Sequence, residues 1–265
     1  MTQPIPVKQP PFSTKMWVYT NYDCNLHCAY CLAGSHPKAA RRAISLATVK
    51  RIVDEALALG FENLYFTGGE PFILDEIYEM LAVSSAKLPT TVLTNAMLLG
   101  NGRLEKLAEI NNNRLSVQVS LDGSQPQHHD PYRGQGSWQK TVDGIHKLLA
   151  SGLRVRISTT ETPANAAYLD EICEFRRSLG ISDGDHTIRP LAKRGFSQAG
   201  LEVDKLSLAP EMTINAEGVY WHPLSTDADL LVRSEIFPLA ESVAVIKAEL
   251  ENLSNSQNSC REEFQ

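Results

Sequence analysis

Met16-Trp17-Val18-Tyr19-Thr20 is a short β-rich run that feeds directly into Asn21-Tyr22-Asp23-Cys24-Asn25-Leu26-His27-Cys28-Ala29-Tyr30-Cys31. Three cysteines fall within eight residues there, spaced Cys-x3-Cys-x2-Cys, with Tyr30 just before the last. The loop offers three thiolates to one metal centre and no obvious fourth. Structural zinc sites and electron-transfer clusters normally take four protein ligands, so the spacing predicts a metal corner left open for another ligand. Zinc completed by His27 or His36 and an iron-sulfur cluster both fit the loop taken alone. Five cysteines, an odd number, point away from a disulfide framework.

Two further motifs sit at the ends of predicted strands. Thr67-Gly68-Gly69-Glu70-Pro71 follows the apolar run Leu64-Tyr65-Phe66. Paired glycines let backbone approach a ligand closely, and Glu70 adds an acceptor suited to an ammonium group. Ser120-Leu121-Asp122-Gly123 ends the run Leu115 to Val119, and His129-Asp130-Pro131-Tyr132-Arg133-Gly134 follows. Arg133 is a permanently charged fork that matches a carboxylate.

Strands are predicted at Met16 to Thr20, Asn63 to Phe66, Thr90 to Leu93, Leu115 to Val119, Val155 to Thr159 and His186 to Arg189. Between them lie helical periods: one from near Ser45 with Val49, Ile52, Val53, Ala56 and Leu57 on one face, stopping at Gly60, then Asp75 to Ala86, Thr141 to Ala150 and Ala166 to Leu179. Regular alternation means parallel βαβ units with right-handed crossovers. The expected class is α/β, an open six-strand (β/α)6 partial TIM barrel with a short C-terminal hairpin-helix extension. Ligand sites in such barrels gather at the C-terminal strand ends, where Thr94, Asn95, Thr159, Thr160, Pro190 and Leu191 also fall.

On these three motifs the chain resembles the radical S-adenosylmethionine (SAM) superfamily, from about Trp17 to Gly195. The resemblance implies that Cys24, Cys28 and Cys31 hold a 4Fe-4S cluster whose remaining iron is chelated by the amino and carboxylate groups of SAM. It implies Tyr30 near the adenine and Gly68, Gly69, Glu70 and Pro71 at the SAM amino group. Ser120 and Arg133 would hold ribose and carboxylate, with Asn95 and Leu191 as further cofactor contacts on the same rim. The implied activity is that of a radical SAM oxidoreductase or maturase, which cleaves SAM reductively to a 5'-deoxyadenosyl radical that abstracts hydrogen from a metabolite or ribosomal peptide. A low-potential electron donor of flavodoxin or ferredoxin type is the implied partner. An activator that installs a radical on a partner enzyme and a non-catalytic iron-sulfur protein are the other readings. Retention of Glu70, Ser120 and Arg133 disfavours the latter, since an electron carrier needs no SAM site.

Beyond the core, the stretch Arg189-Pro190-Leu191 to Arg194-Gly195 resembles the SPASM-type maturases, whose cysteine-rich extension opens with a hairpin ending in Gly-x-Tyr-x-Cys. Met212 to Tyr220 keeps the hairpin, but Trp221-His222-Pro223 stands where the first cysteine would be, and past Gly195 only Cys260 remains. The expectation is therefore a single cluster, with the truncated hairpin and a helix around Ala240 to Leu253 closing the barrel mouth. His222 is expected to be packed or hydrogen-bonded. The segments expected are an extended arm at 1–15, a radical SAM core at 16–195, a truncated extension at 196–253 and a disordered polar tail at 254–265.

Hydrophobic content of 43% and charged content of 21% suit a soluble globular chain, and the net charge of -6 disfavours nucleic acid. No apolar stretch reaches membrane-span length and no signal-peptide pattern opens the chain, so no membrane partner and a cytoplasmic location are expected. About fifteen residues precede the first strand, too few for a winged-helix module that grips a leader peptide. Small-molecule and peptide substrates both stay open, with Arg154, Arg156, Arg189 and Lys193 as candidate contacts.

Overall fold

The computed structural model describes residues 12–100 and 102–262. Most of the arm expected at 1–15 lies outside them, but at its described end Phe12 packs edge-on against Phe61, with ring centroids 5.8 Å apart. Six parallel strands form the core: β1 (Lys15–Tyr19), β2 (Asn63–Thr67), β3 (Thr90–Thr94), β4 (Leu115–Ser120), β5 (Arg154–Glu161) and β6 (His186–Pro190). They pair in chain order. The sheet is open between β6 and β1, as the alternation predicts.

Side chains alternate across each strand, and this divides the sheet into two faces. Met16, Val18, Leu64, Phe66, Val92, Val117, Val119, Val155 and Ile157 are buried in the apolar core with the helices. The opposite, concave face carries Trp17, Tyr65, Gln118, Arg156 and Arg189. The outer helices are α1 (Leu46–Ala58), α2 (Ile77–Ser85), α3 (Arg103–Glu109), α4 (Pro126–Arg133), α5 (Ser137–Ala150) and α6 (Leu169–Ser178). Ser45 caps α1 by accepting from the Thr48 amide, and Val49, Ile52, Val53 and Ala56 form its buried stripe. The sequence reading lacks α3 and α4. One is too short for a visible period, and α4 starts with Pro126 and contains Pro131.

The C-terminal extension departs from the expected mouth closure. The hairpin β7 (Thr213–Asn215) and β8 (Gly218–Tyr220) forms, but β7 pairs in parallel with β1 on its free side. A further short strand, β9 (Leu231–Arg233), extends the sheet to nine strands. The Asn215 side chain closes the hairpin by accepting from the Glu217 and Gly218 amides at 2.7 and 2.9 Å. Helix α7 (Leu239–Glu262) lies beside α1 in the outer layer, not across the mouth. Its Leu239, Val243 and Ile246 make an apolar stripe that needs the core, and the Leu239 amide donates to Glu55 Oε2 at 2.6 Å. Helical backbone continues through 254–262, where the sequence suggested a disordered tail. No proline or glycine interrupts that segment, and an established helix adds a hydrogen bond with each residue. Residues 263–265 lie outside the described ones, and no described helix is long and apolar enough to cross a membrane.

Candidate functional site

The three cysteines lie on the loop between β1 and α1, each partly exposed and none in a disulfide. Backbone amides already point at two of the sulfurs: Leu26 N–H donates to Cys24 Sγ at 3.4 Å and Ser35 N–H to Cys31 Sγ at 3.3 Å. Such donors are a principal control on cluster potential. Neighbouring elements clamp the loop. The Ala29 amide donates to Tyr132 O of α4 at 2.8 Å, and the Phe196 amide, beyond β6, donates to Cys31 O at 3.1 Å. Gly195, at φ +58, sits so close that a Cβ there would meet Cys31 O at 2.2 Å.

Burial pushes the Cys24 thiol up to about 12 and that of Cys28 up to about 11. These are thiols that ionise when a cation arrives, since a coordinating metal deprotonates them. Among the described residues no three His, Cys, Asp or Glu side chains converge on a point that could hold a single ion. The His27 and His36 rings pack around Phe196, with centroids 4.8 and 6.1 Å from it. A 4Fe-4S cluster takes each cysteine on a different iron, so three spread thiols on one loop fit a cluster better than one zinc.

Gly68 and Gly69 follow β2 and are required by the protein's own backbone. A Cβ on Gly69 would lie 2.0 Å from Asp23 O, and one on Gly68, at φ +142, 2.5 Å from Asn21 O. The Gly69 amide donates to Asn21 O and the Glu70 amide to Asp23 O, so this turn carries the approach to the cysteine loop. The Glu70 carboxylate, 1% exposed, is likewise engaged. Its Oε1 accepts from Phe72 N and Thr94 Oγ1 at 3.1 and 2.7 Å, and its Oε2 from Asn95 N at 2.9 Å. Burial raises its pKa against the pull of those donors. Glu70 thus braces β2 to β3, and Pro71 starts the short helical turn it caps. Asn95 continues the brace, its Nδ2 donating to Asn25 Oδ1 of the cysteine loop at 2.8 Å.

Across the rim, Asp122 is fully buried and collects the third motif. Its Oδ2 accepts from Tyr30 Oη at 2.5 Å and from Arg133 Nε at 2.7 Å, while Oδ1 accepts from the Thr160 amide at 2.9 Å. The Arg133 guanidinium lies 5.5 Å from the Tyr30 ring centroid. Burial pushes the Tyr30 hydroxyl well above its ordinary value. The Asp122 amide donates to His129 Nδ1 at 3.1 Å, which leaves the proton of the neutral ring on Nε2. Burial lowers His129 to about 4, so the ring is neutral near pH 7.

Ser120 ends β4 half-buried beside Ser158 of β5. Leu191 follows β6, its carbonyl accepting from the Leu201 amide at 2.8 Å. Cysteine loop, Gly-Gly-Glu-Pro, Asn95, Ser120 and Arg133 therefore gather at one strand-end rim, with Leu191 at its β6 side. Sequence reasoning gave no role to Asn165, which donates through Nδ2 to Asp122 O and Thr160 O at 2.6 and 2.8 Å. In sequence it is one polar loop residue after a strand. His222 is packed, burial lowering it to about 4, with Nδ1 accepting from the Leu224 amide at 3.1 Å.

A model of the radical SAM superfamily matches residues 18–176, more than half of the chain. The chain is 30% identical over 159 residues to the AdoMet-dependent heme synthase of Methanosarcina barkeri, covering 59% of this chain and 45% of the relative. It is 29% identical over 199 residues to the mycofactocin maturase MftC of Mycobacterium tuberculosis, covering 72% and 50%. The fold is similar to that of SuiB from Streptococcus suis, solved with its precursor peptide SuiA, at a TM-score of 0.63 and 20% identity, covering 74% of this chain and 44% of SuiB. The chain spans about half the length of the curated relatives it matches. It belongs to the radical SAM superfamily, whose members use a 4Fe-4S cluster and SAM.

Proposed function

We propose that this chain is a radical SAM enzyme in which Cys24, Cys28 and Cys31 hold one 4Fe-4S cluster and the adjoining rim holds SAM. The observation that carries this reading is the joining of the cysteine loop to both other motifs: to Gly68-Gly69-Glu70 through Asn21 and Asp23, and to Arg133 through Tyr30 and Asp122. An electron-transfer protein has no need of that second half. When bound, the cluster supplies an electron that cleaves SAM reductively and yields a 5'-deoxyadenosyl radical.

The chain's own residues bind and orient. Arg133, held by Asp122 through Nε, presents its guanidinium to the SAM carboxylate, and the buried ion pair keeps it from turning away. Gly68, Gly69, Glu70 and Pro71 shape the turn that receives the amino group, with Glu70 fixing the turn in place. Tyr30 borders the adenine, while Ser120, Asn95 and Leu191 complete the rim towards ribose and adenine. The protein's contribution is positioning and exclusion of competing hydrogen donors.

The reaction proposed is hydrogen abstraction from a metabolite or a peptide in a biosynthetic or maturation step. The peptide seen with SuiB and the maturase name of MftC support the peptide arm. A soluble low-potential carrier, flavodoxin or ferredoxin, is the proposed donor. The test is anaerobic reconstitution with iron and sulfide, addition of dithionite and SAM, and mass spectrometry for 5'-deoxyadenosine. Formation that disappears when the cysteines are replaced supports the reading. A fully loaded protein that neither binds nor cleaves SAM overturns it.

A further inference from the structure

The concave face of the sheet beneath the rim holds donors that the protein itself does not satisfy. Gln118 lies on β4 between the core residues Val117 and Val119, so alternation turns it onto the concave face. It is 2% exposed, and its Nε2 has no hydrogen-bond partner. Its register neighbour on β5 is Arg156, on the same face, whose Nε is also buried without a hydrogen-bond partner. That Nε makes a long ion pair with Asp185 at 3.6 Å, too long for a hydrogen bond, and Asp185 itself accepts from Arg154 at 2.8 Å and Ser182 at 3.0 Å.

Arg189 reaches the same face from β6. Its guanidinium stands 5.9 Å from the Trp17 ring centroid, and among the described residues it forms no salt bridge. Glu211, the carboxylate on that side, accepts from Trp17 Nε1 at 2.6 Å and pairs with Lys15 at 3.5 Å. Burial lowers the Arg189 pKa, and Arg156 is near enough to lower it further. Two guanidinium groups and an amide nitrogen thus share one face, and its two carboxylates are shared, Asp185 between Arg154 and Arg156 and Glu211 between Lys15 and the Trp17 indole. The Gln118 and Arg156 nitrogens are buried and left without a hydrogen bond, which is costly, and the group that satisfies both of them together with the exposed Arg189 guanidinium is an anion with several acceptor oxygens.

We infer that Gln118, Arg156 and Arg189 form a binding site for an acidic group of the substrate, a carboxylate or a phosphate, on the concave face below the SAM rim. This inference rests on the proposed function, because it places the substrate next to the cofactor. The stack of Trp17 on Tyr65, with centroids 4.4 Å apart, lies beside Arg189 and makes Trp17 emission a reporter of anion binding there.

The experiment titrates the cluster-loaded protein with inorganic phosphate and with glutarate while following tryptophan emission, in wild type, R156Q, R189Q and W17F. Iron content and visible absorption serve as fold controls. The expected result is a saturable change with at least one anion, absent in W17F, with affinity at least about tenfold weaker in each arginine variant, the scale of a lost charged hydrogen bond. Tighter phosphate binding identifies a phosphorylated substrate and tighter glutarate binding a carboxylate. No saturable change with either anion in wild type, or an affinity in R156Q or R189Q equal to that of wild type, overturns the site. Formation of 5'-deoxyadenosine by the same wild-type preparation is measured separately, so failure of the anion site and failure of the SAM reading are told apart.

Discussion

The strand-end rim and the concave face beneath it are built from the same strands and treat polar groups in opposite ways. On the rim, Glu70 accepts three hydrogen bonds within the protein and Asp122 is surrounded by Tyr30, Arg133 and the Thr160 amide. Two to four residues below, Gln118 and Arg156 have buried nitrogens that make no hydrogen bond, Arg156 keeping only a long ion pair to Asp185 at 3.6 Å. A closed network rigidifies what it joins, whereas an open one is satisfied by something arriving. In the function proposed above, the rim is the scaffold for the cofactors and the concave face is the part that distinguishes one substrate from another.

The largest expected effect on this contrast comes from Cys28→Ala, which should abolish the 4Fe-4S absorption after reconstitution. A full cluster spectrum in that variant would remove the rim's role altogether. Next, Arg133→Ala should leave the cluster in place and weaken SAM binding by about 2 to 5 kcal/mol, because it removes the cation proposed to pair with the SAM carboxylate. Isothermal titration decides this, and an unchanged SAM affinity contradicts the assignment.

Gly69→Ala should lower stability by about 1 to 3 kcal/mol, since the added Cβ meets backbone at Asp23 and not a yielding side chain. Denaturant unfolding before and after cluster loading measures it, and the loss should be accompanied by slower cluster assembly. The smallest effects make the sharpest comparison. Thr94→Val removes a donor to buried Glu70 and should cost about 1 to 3 kcal/mol, whereas Gln118→Leu removes a nitrogen with no partner and should be neutral or slightly stabilising in the ligand-free protein. If both substitutions destabilise alike, the distinction between a closed rim and an open face is wrong.

Much of the fold can be read locally. Met16 to Thr20, Asn63 to Phe66 and Leu115 to Val119 are apolar, β-rich runs bounded by polar or glycine-rich turns, and each becomes a core strand. Ser45 and the stripe from Val49 to Ala56 announce α1 in the same way. The parallel pairing of β7 with β1 could not be read, because three-residue strands carry little pattern and their partner lies at the other end of the core. In the site, the cysteines, glycines, Glu70 and Arg133 stand out by spacing. What they touch does not: Gly68 and Gly69 suggested room for a ligand, while their nearest neighbours are Asn21 and Asp23. Asp122 was visible as a letter of a motif, and its function as the meeting point of Tyr30, Arg133 and Asn165 appears only in three dimensions.

The placement of β7 against β1 has a consequence for how the protein is made. The strand leading into the cysteine loop is translated early, yet the segment that covers its second side emerges from the ribosome only after the whole (β/α) core. Until then β1 presents unpaired amides and carbonyls beside the cysteine loop, an edge prone to wrong pairing. Late contacts between distant segments also slow folding. Loading of iron and sulfide is thus best timed after the hairpin has docked, when Asn215 Nδ2 donates to Tyr22 Oη at 2.8 Å and locks the start of the cysteine loop to the finished sheet.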